Sequence, residues 1–139
     1  LLRALAKDED EVDFSAEDLF YDNAIVIGLD MEREALYQRI DERVDQMIDS
    51  GLVEEARVLY RDYYESQAAM AIGYKELFHY FDEKISFEEA IDQIKKNSRH
   101  YAKRQLTWFR NKLDCFWLDV DPNDFDKTIE KAMEIIQYL

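Results

Sequence analysis

The chain has 139 residues, 47% of them hydrophobic, and a formal net charge of −14. That length holds one domain with a core and is short for two, and so much apolar content excludes disorder throughout. No apolar run reaches the roughly 18 residues that a transmembrane helix needs, and a single cysteine, Cys115, excludes an internal disulfide.

The lone cysteine suits a reducing compartment, and the cytoplasm is expected. With it, two widely separated histidines leave no zinc spacing. Glycine (3) and proline (1) are scarce, which favours long helices over a many-turned β fold. The opening "LLRALAKDEDEVD" has no positive leader followed by an apolar stretch, so no signal peptide is expected.

The charge is unevenly placed. Residues 8–18 hold seven acids. That run reads as a solvated linker or the start of a short helix. Residues 95–112 hold seven bases and no acid: Lys95, Lys96, Arg99, Lys103, Arg104, Arg110 and Lys112, with His100 beside them. Binding to a polyanion depends on this local field more than on the sum.

In chain order, "AIVIGL" (24–29) predicts a buried strand, apolar on both faces and so in need of a sheet covered on both sides. From Met31 the period becomes helical, with Leu36, Ile40, Val44 and Met47 on one face and Gly51 as the stop. "LVEEARVLYRDYY" predicts a second helix and "AIGYKELFHYF" a third, with Gly73 near its start. Ser86 and Glu89 make a capping box that opens a fourth. At about 100° per residue, that fourth helix has an apolar arc holding Phe87, Ala90, Ile91, Ile94, Tyr101, Ala102, Trp108 and Phe109. Lys95, Arg99, Lys103, Thr107 and Arg110 share the opposite arc. Gln105 falls inside the apolar arc, so it is either a core tether or faces a site. "CFWLDV" (115–120) predicts a second strand, and Pro122 opens a last helix over 123–138. Two strands make no stable sheet alone, so the chain is expected to complete a sheet whose other strands lie elsewhere.

A basic helix face suits phosphate, because each neutralised phosphate releases counterions, and aromatics beside it can stack on unpaired bases. The competing reading is a solvated face balanced by acids of neighbouring helices, with Tyr101 and Trp108 packed in the core. Arg39 and Arg43, at i and i+4, can grip a diphosphate through paired donors, or they pair with local carboxylates such as Asp41, Glu42 or Asp45. No Ser/His/Asp arrangement, HExxH or glycine-rich phosphate loop is present.

Three stretches, "IGLDMEREALYQRIDERVDQMIDSGLVEEARVLY", "AIGYKEL" and "YAKRQLTWFRNK", resemble the bacterial tRNA dimethylallyltransferase (tRNA isopentenyltransferase) family in order and spacing. "ISFEEAIDQIKKNSRHYAKRQ" joins the last two, and "LLRAL" (1–5) is similar to the family's "RxxRAL". The resemblance covers the family's C-terminal half. It implies an α/β fold built on a P-loop NTPase-like parallel sheet, to which this mainly helical chain adds about two strands. Residues 1–23 would be the end of an inserted helical region and an acidic linker, and 24–139 the C-terminal half of the catalytic domain.

The resemblance also implies transfer of a dimethylallyl group from dimethylallyl diphosphate to the exocyclic nitrogen of an adenosine beside the tRNA anticodon. Mg2+ assists, with ligands outside this chain, and the base is unstacked for the chemistry. It places the diphosphate on Arg39 and Arg43. It places tRNA on Met70, Ala71, Ile72, Gly73, Tyr74 and Lys75, and on Lys103, Arg104, Gln105, Leu106, Thr107, Trp108, Phe109 and Arg110. The family's P-loop and catalytic Asp have no counterpart in this sequence, so the chain alone is expected to be inactive and to need the N-terminal half as partner. Two other readings stay open: a non-catalytic RNA-binding module, and a helical interaction protein whose basic face docks on acids such as residues 8–18.

Overall fold

The computed structural model describes residues 24–138, so the expectations for residues 1–23 lie outside the described part. The order is strand β1 (Ile27–Asp30), helix α1 (Arg33–Asp49), helix α2 (Leu52–Asp62), a short 3-10 turn (Gln67–Met70), helix α3 (Tyr74–Phe81), helix α4 (Phe87–Lys112), strand β2 (Phe116–Asp119) and helix α5 (Phe125–Tyr138). Among the described residues the fold is thus mainly helical with two strands, and no helix is long and apolar enough to cross a membrane.

Local chemistry sets most boundaries. The Glu32 carboxylate accepts from Ala35 N–H at 3.0 Å and opens α1. Gly51 ends it at φ +101°, a left-handed conformation that side chains resist, and the chain reverses at once into α2. Ser86 Oγ accepts from Glu89 N–H at 3.1 Å while Glu89 Oε2 accepts from Ser86 N–H at 2.8 Å, so the expected capping box forms. Ser86→Ala removes one half of it, and a loss of about 1 kcal/mol is expected in urea unfolding.

The core lies where the four helices α1 to α4 meet: Val44, Leu52, Ala56, Leu59, Leu77, Phe78, Ala90 and Ile94 are buried together. The strands stand outside it. They pair in parallel, with Gly28 opposite Trp117 and Leu29 opposite Leu118. Of their residues only Leu118 is buried, while Leu29 and Phe116, and Ile25 and Val26 just before β1, remain 39–49% exposed. The expectation of a strand buried over 24–29 therefore needs correction. Pairing begins three residues later, and among the described residues nothing covers the strand on both faces, although a parallel strand this apolar calls for such cover. Helix α5 packs on β2 but leaves Phe125, Ile129, Met133 and Ile136 about half exposed. Pro122 does not open α5. It sits in a turn where Asp121 accepts from Asn123 N–H, and the helix starts at Phe125.

A candidate diphosphate groove and nucleic-acid face

Arg39 and Arg43 point into an open groove of about 790 Å3 between α1, α4 and the strands. Its walls are mostly apolar, from Leu36, Ile40, Leu106, Phe109, Leu113 and Trp117, and Gln46, Gln105 and Asp30 add polar atoms. Asp30 ends β1, so the groove lies beside the carboxyl end of a parallel strand, where open α/β sheets place ligands. Gln105, the residue with two possible roles, is exposed and lines this groove, so it is no core tether.

Helix α4 divides its cations. Lys95 pairs with Asp45 at 2.6 Å, and one nitrogen of Arg99 reaches both oxygens of Asp41 at 2.5 and 2.7 Å. These two rungs run from α4 to α1. Asp41 and Asp45 lie about 200° around α1 from Arg39 and Arg43, so the rungs hold one edge of that helix while its opposite edge presents the arginines to the groove. Acids of a neighbouring helix thus do balance the first half of the basic arc. In the second half, Lys103, Arg104 and Lys112, with His100, form no ion pair among the described residues. They line a shallow depression with Thr107, Trp108 and Asn111.

Tyr101 and Trp108 are 50% and 54% exposed, where core packing was the competing expectation. The cause is length. Helix α3 is eight residues long and α4 is 26, so α3 covers the early turns, where Ala90 and Ile94 are buried, and α4 outruns it. On the later turns the same arc is bare. The expected segment 103–110 consequently splits three ways. Gln105, Leu106 and Phe109 face the groove, Lys103, Arg104, Thr107 and Trp108 the depression, and Arg110 pairs with Asp30 at the end of β1.

The stretch 70–75 forms the entry to α3. Met70 is 69% exposed, Ala71 and Lys75 are exposed, Ile72 packs against the core and Gly73 turns at φ +105°. Sequence reasoning missed Glu76. It is buried, accepting from Gly73 N–H at 2.8 Å and from Asn97 Nδ2 at 2.7 Å, and so fastens the loop to α4. Its place three residues after Gly73 was the available signal, because an N3 carboxylate reaches back to the N-cap. The Tyr74 hydroxyl donates to Glu55 at 2.9 Å, and burial, then this bond, push its pKa up to about 12. The fold favours the neutral phenol, so the contribution is complete below pH 10 and is lost as pH rises from 10 towards about 12. Tyr74→Phe is expected to remove that alkaline loss and one high-pH step of the tyrosinate absorbance titration.

Among the described residues no group of three or more His, Cys, Asp or Glu side chains could hold a metal ion.

The family model for IPP transferase matches residues 4–112, a span that includes the groove arginines, the loop and the whole of α4. The chain belongs to the IPP transferase family. Similar proteins named tRNA dimethylallyltransferase include one from Halalkalibacterium halodurans, 53% identical over 118 residues, which are 84% of this chain and 37% of the relative. Another, from Geobacillus kaustophilus, is 57% identical over 122 residues, 87% of this chain and 38% of the relative. One from Bacillus anthracis is 49% identical over 134 residues, 96% of this chain and 40% of the relative. Among solved structures, the full-length tRNA isopentenylpyrophosphate transferase of Bacillus halodurans superposes with a TM-score of 0.74 at 52% identity, over 81% of this chain and 38% of that one. The tRNA delta(2)-isopentenylpyrophosphate transferase of Staphylococcus epidermidis gives a TM-score of 0.74 at 42% identity, over 82% and 38%. The chain thus spans about two-fifths of the length of the IPP transferases it matches, and the α/β fold of those relatives accounts for its two parallel strands.

Proposed function

We propose that this chain is the C-terminal part of a tRNA dimethylallyltransferase, with residues 24–139 forming half of its catalytic domain. The observation that carries the reading is the groove, where two guanidiniums one turn apart flank an apolar cavity. That combination suits an amphipathic ligand with a dianionic or trianionic head and a short hydrocarbon tail, as in dimethylallyl diphosphate. Arg39 and Arg43 offer paired donors to the phosphate oxygens, and Leu36, Ile40 and Leu106 shelter the tail from water.

The tRNA would lie on the free half of α4. Lys103, Arg104 and Lys112 attract the phosphates, the exposed Trp108 ring offers a stacking surface for an unpaired base, and Met70 to Lys75 form a second contact beside the same helix. A target adenosine turned out of its stack would enter the groove past Gln105. The groove's walls would then keep water from competing with the adenosine nitrogen for the prenyl carbon. The base that takes the proton, the phosphate-cradling loop and the magnesium ligands belong to the N-terminal part, which also supplies the remaining strands. The reading places the enzyme in the cytoplasm with its tRNA.

The test is transfer of a labelled dimethylallyl group from its diphosphate to unmodified tRNA. The whole enzyme is expected to label the adenosine beside the anticodon, and the 139-residue chain alone to label nothing. Labelling by the short chain, or none by the whole enzyme, would contradict the reading.

A further inference from the structure

Arg110 shares its arc of α4 with Lys103, and the stretch it belongs to carries the tRNA reading. Its side chain, however, turns to the sheet. The guanidinium pairs with Asp30 at the carboxyl end of β1 and lies over the Trp117 ring, 5.5 Å from its centroid. Trp117 in turn packs its ring against Gly28, its register partner on the neighbouring strand. A Cβ placed at Gly28 would come within 2.7 Å of that ring, closer than carbon atoms approach, so the glycine is what lets the indole settle there. Asp30 also accepts from Met31 N–H at 3.0 Å, where the chain leaves β1 for α1. Gly28, Asp30 and Trp117 all line the groove that holds Arg39 and Arg43.

We propose that Arg110 is a positioning residue of the groove and not an RNA contact: by holding Asp30 and Trp117 it fixes the sheet end of the cavity against α4. Two independent features support this. A guanidinium already facing a carboxylate has little charge left to release counterions from a polyanion. Reaching Asp30 while lying over an indole suits the planar, forked guanidinium of arginine better than the point charge of lysine. The same contacts join the helix that carries the free RNA-facing cations to the strand that leads into the arginine-bearing helix.

The inference rests on the diphosphate reading of the groove for one of its readouts only. In the whole enzyme, Arg110→Ala is expected to raise the KM for dimethylallyl diphosphate about tenfold, since small misplacements of supporting groups cost that much or more. The dependence of tRNA affinity on salt is expected to stay as it was. Arg110→Lys keeps the charge and is gentler on folding; it too is expected to raise that KM and leave the salt slope alone. Gly28→Ala, which changes no charge, displaces Trp117 and is expected to reproduce the KM effect. The two substitutions combined are expected to cost less than the product of the single effects, because both disturb one contact chain. A salt slope that falls by about one in Arg110→Ala, as for a phosphate contact, with the diphosphate KM unmoved, would overturn the proposal. Arg39→Ala is the control. If it leaves the diphosphate KM unchanged, the groove reading has failed, while the salt slope still decides whether Arg110 touches RNA.

Discussion

Replacing Arg39 or Arg43 by alanine in the whole enzyme is expected to raise the KM for dimethylallyl diphosphate by roughly ten- to a hundredfold. A hydrogen bond to a charged group is worth about 1.5–3 kcal/mol, and each 1.4 kcal/mol is about a factor of ten in affinity. Both arginines are exposed and line the groove, and neither forms an ion pair among the described residues, so their donors are free for a ligand. Asp41 and Asp45 are taken by Arg99 and Lys95, while Glu42, which lines the same groove, accepts from Gln38 and forms no ion pair with either arginine among the described residues. The KM for tRNA is expected to change little, because the cations of the depression lie on another face of α4. Steady-state kinetics with each substrate varied in turn separates the two. An unchanged diphosphate KM would remove the arginines from the site.

The second expected result concerns the division of the basic helix. Lys103→Ala and Arg104→Ala are each expected to lower the slope of log affinity for tRNA against log salt by about one, and to weaken binding about fivefold at physiological salt. Lys95→Ala and Arg99→Ala are expected to leave that slope unchanged and to lower stability by no more than about 1 kcal/mol each, since partly exposed ion pairs contribute little. Trp108→Ala is expected to weaken binding without changing the slope, because stacking on a base releases no counterion; its magnitude is about 1–3 kcal/mol. Filter binding at several salt concentrations distinguishes these three outcomes. Equal slopes for all four cation variants would contradict the division.

Much of the helical part of the fold was legible because most boundaries had a local cause, although Pro122 mispredicted the start of α5. Ser86 and Glu89 cap α4 with their own side chains, and Gly51 adopts a backbone angle that other residues avoid. Arg39 and Arg43 could be read from their spacing, since one helical turn is enough to place two side chains side by side. What the sequence hid was relational. A helical wheel treats α4 as equally surrounded along its length, whereas α3 stops early, and that length difference leaves Tyr101 and Trp108 bare. The wheel also put Lys95 and Arg99 with Lys103, because periodicity does not say which arc faces α1. Glu76 went unnoticed among many carboxylates, since its burial depends on Asn97, 21 positions away. The strands were legible as apolar runs, but their pairing is a contact between residues nearly 90 positions apart.

The account rests on a groove that takes an anionic head and an apolar tail together. Calorimetric titration of the whole enzyme with inorganic pyrophosphate and with a non-reactive dimethylallyl thiodiphosphate measures that directly. Burying a methylene group contributes about 0.8 kcal/mol, so even partial burial of the five-carbon tail should make the thiodiphosphate bind roughly ten- to a hundredfold more tightly, and Arg39→Ala/Arg43→Ala should weaken both ligands. Equal affinity for the two ligands, or binding untouched by the double substitution, would show that the groove is not where the prenyl donor sits.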